Sequence, residues 1–273
     1  MLDFTRAFFG LTDPPFTRPP AEPFLDPLRR QALEQLEGLV RRRGFGALVG
    51  PPGSGKTALA HYLCRSLNDN RHRIVYVPFS FLKNGQLVQH LAARMGLTPT
   101  RGIAAGLRAV RQHLHSLQPV NPVIVLDEAE QLETDTAHVV RSLLHDRADT
   151  AHHCTLILVG TDRLVDQKLR LQVHEPLRQR ITLYLRPAPL DRENTTGYIA
   201  HHLRAAGARD DLFEPPAVEL IHELADGLPR IIGTLAETAM DNAAAGQHST
   251  VVLEHVRAAA ETVLPPQLAR VKP

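Results

Sequence analysis

Three observations predict an α/β fold with a parallel sheet, followed by a smaller region of helices. Five short apolar runs, 45–49, 74–77, 123–126, 156–159 and 181–185, alternate with helical patterns. Each run is nearly continuous in apolar residues rather than alternating, as strands covered on both faces are. After the Pro-rich stretch 186–189 no strand pattern returns, and only helices are legible.

Taken in order, residues 1–27 are rich in proline and aromatics, which predicts an ordered strap rather than a helix. The spacing of Leu28, Leu33, Leu36 and Val40 predicts a helix over 27–43, with Gly44 as its stop. Between the second and third apolar runs, Ile103, Leu107, Val110, Leu114 and Leu117 mark one helix face. Beyond 190, helices are expected at 191–206, 215–225, 230–245 and 251–263. Asp191 with Asn194, Pro215–Pro216 and Ser249–Thr250 supply their starts. The division that follows is a strap at 1–27, a core at 28–188, a helical lid at 189–264 and a loose tail at 265–273.

Composition excludes several classes. The 273 residues carry a net charge of +2, so no bulk imbalance announces a polyanionic partner. Cys64 and Cys154 are the only cysteines, too few for a disulfide framework or a cysteine-based zinc site. No apolar run approaches the ~20 residues of a membrane helix. The opening MLDFTRAFFG has charges where a signal peptide is apolar. A cytoplasmic protein with no membrane partner is expected.

Gly50, Pro51, Pro52, Gly53, Ser54, Gly55, Lys56 and Thr57 fit GxxxxGK[ST] without a mismatch, after one strand and at the opening of a helix that continues with Ala58. Glycines let the backbone curl until successive N–H groups face phosphate. Lys56 is expected to reach the β/γ oxygens and Thr57 to offer its hydroxyl to Mg²⁺. The second half of the site is the strand 123–126 ending in Asp127 and Glu128. Ligands bind at the carboxyl ends of strands in open α/β sheets. Asp127 is expected to hold Mg²⁺ through water, and Glu128 to polarise the attacking water. Thr161 follows the fourth strand. It lies between phosphate loop and acids if the sheet has the usual order, and reads either as a contact to the water or the γ-phosphate or as a Thr–Asp turn capping the helix from Arg163 onward.

Together with Arg178-Gln-Arg180 before the fifth strand and Gly227-Leu-Pro-Arg230 beyond it, these residues resemble the AAA+ ATPases. More narrowly, FFGLTDPPF, DEAEQL, PLRQRI and GLPR resemble two groups. One is the ExeA/GspA-like secretion ATPases, and the other is the TnsC-like and TniB-like ATPases that serve DDE transposases. The resemblance implies a P-loop NTPase core of three αβα layers with a five-stranded sheet, a helical lid, and ATP and Mg²⁺ as cofactors. It implies that Phe9, Leu11 and Phe16 lie against the adenine, that Thr161 is sensor 1 and that Arg230 is sensor 2. Arg180 is implied as the arginine finger entering a neighbouring subunit's site, with Arg178 as the runner-up. One departure is visible: Glu130 stands where many relatives have His.

Other signals divide between two readings. Fifteen histidines contain no metal-ligand spacing, and surface or loop positions are expected for His152–His153 and His201–His202. Arg41–Arg43 reads as a dipole complement at a helix end or as a nucleic-acid patch. The segment after the second strand, ending in Lys83 and Asn84, reads either as a plain connection or, joined by Arg101, as a duplex-contacting loop. The leading expectation is a regulator that oligomerises with ATP on duplex DNA, indifferent to sequence, as a ring (hexamer or heptamer) or helical filament. Its further partners are a transposase and a target-selecting adaptor. The alternatives are an envelope or secretion ATPase with a membrane partner, and a slow nucleotide-gated scaffold.

Overall fold

In the computed structural model, residues 2–17, 20, 22–78, 84–98, 100–131, 133–144, 152–209 and 211–265 are described. The chain forms two compact units. One comprises 27–52 and 56–187; the other comprises 1–26, 53–55 and 188–273.

The first unit is built on a five-stranded parallel sheet of order β2-β3-β4-β1-β5, where β1 is Phe45–Val49, β2 His72–Pro78, β3 Asn121–Asp127, β4 Thr155–Gly160 and β5 Leu183–Leu185. The three central strands, β1, β3 and β4, are buried along their whole length, which is why they read as unbroken apolar runs. Parallel neighbours need crossovers, and helices supply them: α3 (Lys56–Ser66), α4 (Asn84–Arg94), α5 (Ile103–Ser116), α6 (Thr134–Leu144) and α7 (Glu175–Arg178), while α2 (Pro27–Arg41) leads into β1. Phe45, Leu87, Leu91, Leu114, Ile124, Leu126 and Leu158 form the centre of the core.

Edges depart from expectation for local reasons. The edge strand β2 begins at His72, because its ladder with β3 runs from His72↔Asn121 to Pro78↔Asp127, past the apolar residues. In contrast, β5 starts only at Leu183, because the Ile181 amide closes the turn after α7 on the Arg178 carbonyl at 3.1 Å. The residue that stops α2 is Arg43, in the left-handed region at φ 52°, rather than Gly44. The Gly44 amide instead reaches back to the Leu39 carbonyl at 2.9 Å, completing a Schellman-type cap.

The second unit is helical: α8 (Arg192–Ala205), α9 (Pro215–Ala225), α10 (Pro229–Ala245) and α11 (Leu253–Val263) close around Ile199, Leu203, Ile221, Ile232, Leu235, Met240 and Val256. The N-terminal residues belong to it. Contrary to the strap expectation, they open with a helix, α1 (Leu2–Phe9), because prolines begin only at Pro14 and leave the first two turns unobstructed. The last helix also starts late. Val251 is spent on a bridge to Phe213, its amide donating to the Leu212 carbonyl at 2.8 Å, so the chain stays extended past Thr250. His255 Nδ1 then accepts the Val252 amide at 3.1 Å, taking the capping position expected of Ser249 or Thr250.

Candidate nucleotide-binding site

The phosphate loop leaves β1 at Val49 and enters α3 at Lys56. Its glycines take conformations that side chains resist, with φ of 155° at Gly50, 84° at Gly53 and 90° at Gly55. Ser54 is fully buried. Lys56 is buried as well, and its ammonium donates to the Pro51 carbonyl at 2.8 Å, folding the side chain back over the loop. Thr57 and Ala58 are exposed on the first turn of α3, where backbone N–H groups have no intrahelical acceptor.

Because β4 lies between β1 and β3, the carboxyl ends of three strands bring Gly50, Thr161 and the Asp127–Glu128 pair to one edge of the sheet. Asp127 is the last residue of β3 and is buried. One of its oxygens accepts the Glu128 amide at 2.9 Å, and the other accepts the hydroxyl of Tyr76 from β2. An ionised carboxylate has about four lone-pair sites, so each oxygen keeps acceptor capacity. Burial first, and then the bond to Asp127, push the Tyr76 phenol well above its ordinary range and keep it a donor. The ring of His61, one turn along α3 from Thr57, stacks on Tyr76 with centroids 4.2 Å apart. Glu128 is exposed and left-handed, φ 54°, where the chain bends out of β3 into a 3₁₀ turn, Ala129–Gln131. Strain of that kind in a non-glycine residue collects at functional sites.

Thr161 is held by its backbone: its amide donates to Glu130 Oε2 at 3.0 Å and its carbonyl accepts from the Leu164 amide at 2.9 Å. Its hydroxyl is buried and has no hydrogen-bond partner. Thr57 and Asp127 offer hydroxyl and carboxylate oxygens, the hard donors Mg²⁺ takes alongside water. Neither cysteine has nucleophile character, since burial pushes the Cys64 thiol up to about 11 and the Cys154 thiol up to about 12.

Of the arginines, Arg178 is exposed and pairs with Glu175 at 3.4 Å, while Arg180 donates to the Pro176 carbonyl at 3.3 Å. Within the helical unit, which includes Gly53–Gly55, the Arg230 amide donates to the Gly53 carbonyl at 3.2 Å, and a Cβ on Gly53 would lie 2.9 Å from that of Arg230. Phe9, Leu11 and Phe16 pack into the core of the same unit, with Phe16 stacked on His202 of α8 at 5.3 Å. Of the expected DNA-contacting residues, Arg101 is exposed before α5, Asn84 is the first residue of α4 with its side chain outside the described residues, and Lys83 lies outside them altogether.

One expectation is corrected by packing. His202 is buried within α8 rather than at the surface or in a loop, and its Nδ1 donates to the Pro15 carbonyl at 2.7 Å, pinning the N-terminal segment; His153 lies in a loop as expected but is buried there. Arg43 is committed to the fold, donating to the Pro119 carbonyl at 2.8 Å. Among the described residues no group of three or more His, Cys, Asp or Glu side chains could hold a metal ion. None of their helices is long and apolar enough to cross a membrane.

Residues 40–168 match the AAA domain family. That stretch contains both the phosphate loop and the acid pair, and the five-stranded parallel sheet around it has the P-loop AAA+ fold. The chain is 30% identical over 254 residues to general secretion pathway protein A of Aeromonas hydrophila, covering 89% of this chain and 46% of that protein. The chain therefore spans less than half the length of that relative. In fold it is similar to Cdc6p from Pyrobaculum aerophilum, with a TM-score of 0.76 and 20% identity over 93% of this chain and 72% of that one. The Aeropyrum pernix ORC1 protein, solved in complex with DNA, has a TM-score of 0.69 and 18% identity over 88% of this chain and 66% of that one.

Proposed function

We propose that the chain is an ATP-driven regulator that oligomerises on duplex DNA with ATP and recruits or controls a transposase. The observation that supports it most is the convergence of phosphate loop, acid pair and an unpartnered Thr161 hydroxyl at one sheet edge. In this reading Gly50–Thr57 and Ala58 wrap the phosphates with backbone N–H groups, and the Lys56 ammonium neutralises the β/γ oxygens. Thr57 and Asp127 would hold Mg²⁺, which would neutralise charge on the phosphoryl oxygens. Glu128 takes the proton of the attacking water. The Thr161 hydroxyl meets the water or the γ-phosphate. Arg230 acts on the same phosphate from the helical unit, and Phe9, Leu11 and Phe16 contribute to the adenine's surroundings. Arg180, with Arg178 behind it, completes the site of a neighbouring copy.

Duplex DNA is proposed to be contacted through its phosphates by Lys83, Asn84 and Arg101. The DNA in the ORC1 complex gives a precedent of fold only. With +2 of net charge a single copy has little pull on a polyanion, so binding should need several aligned copies and ATP. The test is electron microscopy and fluorescence anisotropy with unrelated duplexes and a non-hydrolysable ATP analogue. DNA-threaded rings or filaments, with affinity falling steeply as salt rises, are expected. A second reading is supported by the 30% identity to the secretion protein: an ATPase working beside a membrane-anchored partner. No duplex binding at low salt with the analogue would replace the first reading by the second. A cytoplasmic location belongs to both.

A further inference from the structure

Glu130 is not explained by the phosphate loop, the acid pair or the arginines. It lies in the 3₁₀ turn directly after Asp127 and Glu128, and its side chain crosses to the end of β4. There Oε2 accepts the Thr161 amide at 3.0 Å. The approach is so close that a Cβ on Gly160 would come within 2.7 Å of the same oxygen and 3.4 Å of the Glu130 amide. A side chain at position 160 would therefore have to push the carboxylate aside. With its amide held by Glu130 and its carbonyl by Leu164, Thr161 has one polar group left, a buried hydroxyl with no partner. Buried hydroxyls are normally paired, and an exception is explained by strain, a catalytic role, or a bound water, ion or ligand.

We infer that Glu130 is a positioning residue for hydrolysis. It fixes the Thr161 hydroxyl relative to the turn that carries Glu128, so that the water-activating acid and the γ-phosphate contact move as one piece. The inference rests on the assignment of Thr161 to the hydrolytic site. The carboxylate touches neither phosphate nor water in this scheme and acts only through the Thr161 backbone. A capping role alone would affect stability; a positioning role must appear in kcat, since misplacing a catalytic contact by about 1 Å can cost up to ~100-fold in rate.

The experiment is a kinetic double-mutant cycle on the full chain. Steady-state ATPase is measured beside binding of a fluorescent ATP analogue for wild type, Glu130→Ala, Glu130→Gln, Thr161→Val and the Glu130→Ala/Thr161→Val pair. Glu130→Ala is expected to lower kcat about tenfold or more with analogue affinity within about twofold. Glu130→Gln keeps an oxygen acceptor and should recover most of the rate. In the Thr161→Val background Glu130→Ala should change kcat little further, because residues acting through one contact are not additive. Gly160→Ala is the second perturbation: it displaces the flexible end of Glu130 without removing it, and should lower kcat in the same way even if Glu130→Ala does not fold. A Thr161→Val variant with normal kcat would overturn the hydrolytic assignment and this inference with it. An impaired Thr161→Val beside normal Glu130→Ala or Gly160→Ala would overturn this inference alone, as would full additivity in the cycle.

Discussion

At the scale of single residues, Asp127 is anchored through both carboxylate oxygens. Its two oxygens each accept one donor, from Tyr76 and from the Glu128 amide, which fixes the carboxylate plane before any metal arrives. Tyr76→Phe removes one donor and leaves the ring stacked on His61. It is expected to raise the Mg²⁺ concentration for half-maximal analogue binding by roughly tenfold, the scale of lost outer-shell support. Binding in EDTA should be unchanged; an unaltered Mg²⁺ requirement would remove Tyr76 from the metal's support. Glu128→Gln keeps shape but cannot accept a proton. It is expected to bind nucleotide normally and to hydrolyse at least about 10²-fold more slowly, measured by phosphate release. The phosphate loop and acid pair were legible because each is a contiguous stretch whose chemistry travels with its spacing. Tyr76 and Glu130 were not, because they act across the sheet. Tyr76 pairs with Val125 and reaches two residues further, a relation set by strand register and invisible along one strand.

At the scale of elements, starts and stops followed hydrogen-bond accounting more than propensity. α8 begins where the Asp191 carboxylate accepts the Asn194 amide at 2.7 Å, as the sequence suggests. α11 begins two residues later than its Ser–Thr pair suggests, because a bridge to Phe213 claims Val251. The central strands were plain in the sequence because burial on both faces leaves no polar positions. The edge strand β2 was longer than its apolar run because one ladder of backbone bonds sufficed to extend it over His72 and Arg73. Asp191→Ala removes the acceptor for an orphan amide of α8. It is expected to destabilise the helical unit by about 1 kcal/mol, read as a shifted urea midpoint. Since α8 also holds Phe16 and Pro15 through His202, the same variant should speed proteolysis before Pro20. A midpoint and cleavage rate equal to wild type would mean the cap is replaced by water.

At the scale of the whole molecule, the candidate residues are distributed unequally over the two compact units. Lys56, Thr57, Asp127, Glu128, Thr161, Arg178 and Arg180 all belong to the α/β unit, while Arg230 and the N-terminal aromatics belong to the helical one. The N-terminal segment could not be assigned from sequence, because its proline and aromatic content says that it packs but not on what. Its partner is the helical core, through Leu11, Phe9 and Phe16. Arg180 follows α7 on the first unit, and among the described residues its guanidinium makes one long hydrogen bond, to the Pro176 carbonyl at 3.3 Å. A cation so weakly committed to its own fold can reorient towards a neighbouring copy at little cost. Arg180→Ala is therefore expected to bind ATP like wild type as a single copy and to lose assembly-stimulated hydrolysis by on the order of 10³-fold. Lys56→Ala fails for the opposite reason: it keeps the arginine but loses a charge-assisted contact to phosphate. Mixing the two inactive proteins places the arginine of one beside the intact phosphate loop of the other, so a fraction of shared sites becomes complete. Partial recovery of phosphate release on mixing, rising with total protein concentration, is the expected result. A mixture no more active than its components would place the arginine's role within its own subunit, and Arg178→Ala mixed in the same way would then distinguish the runner-up.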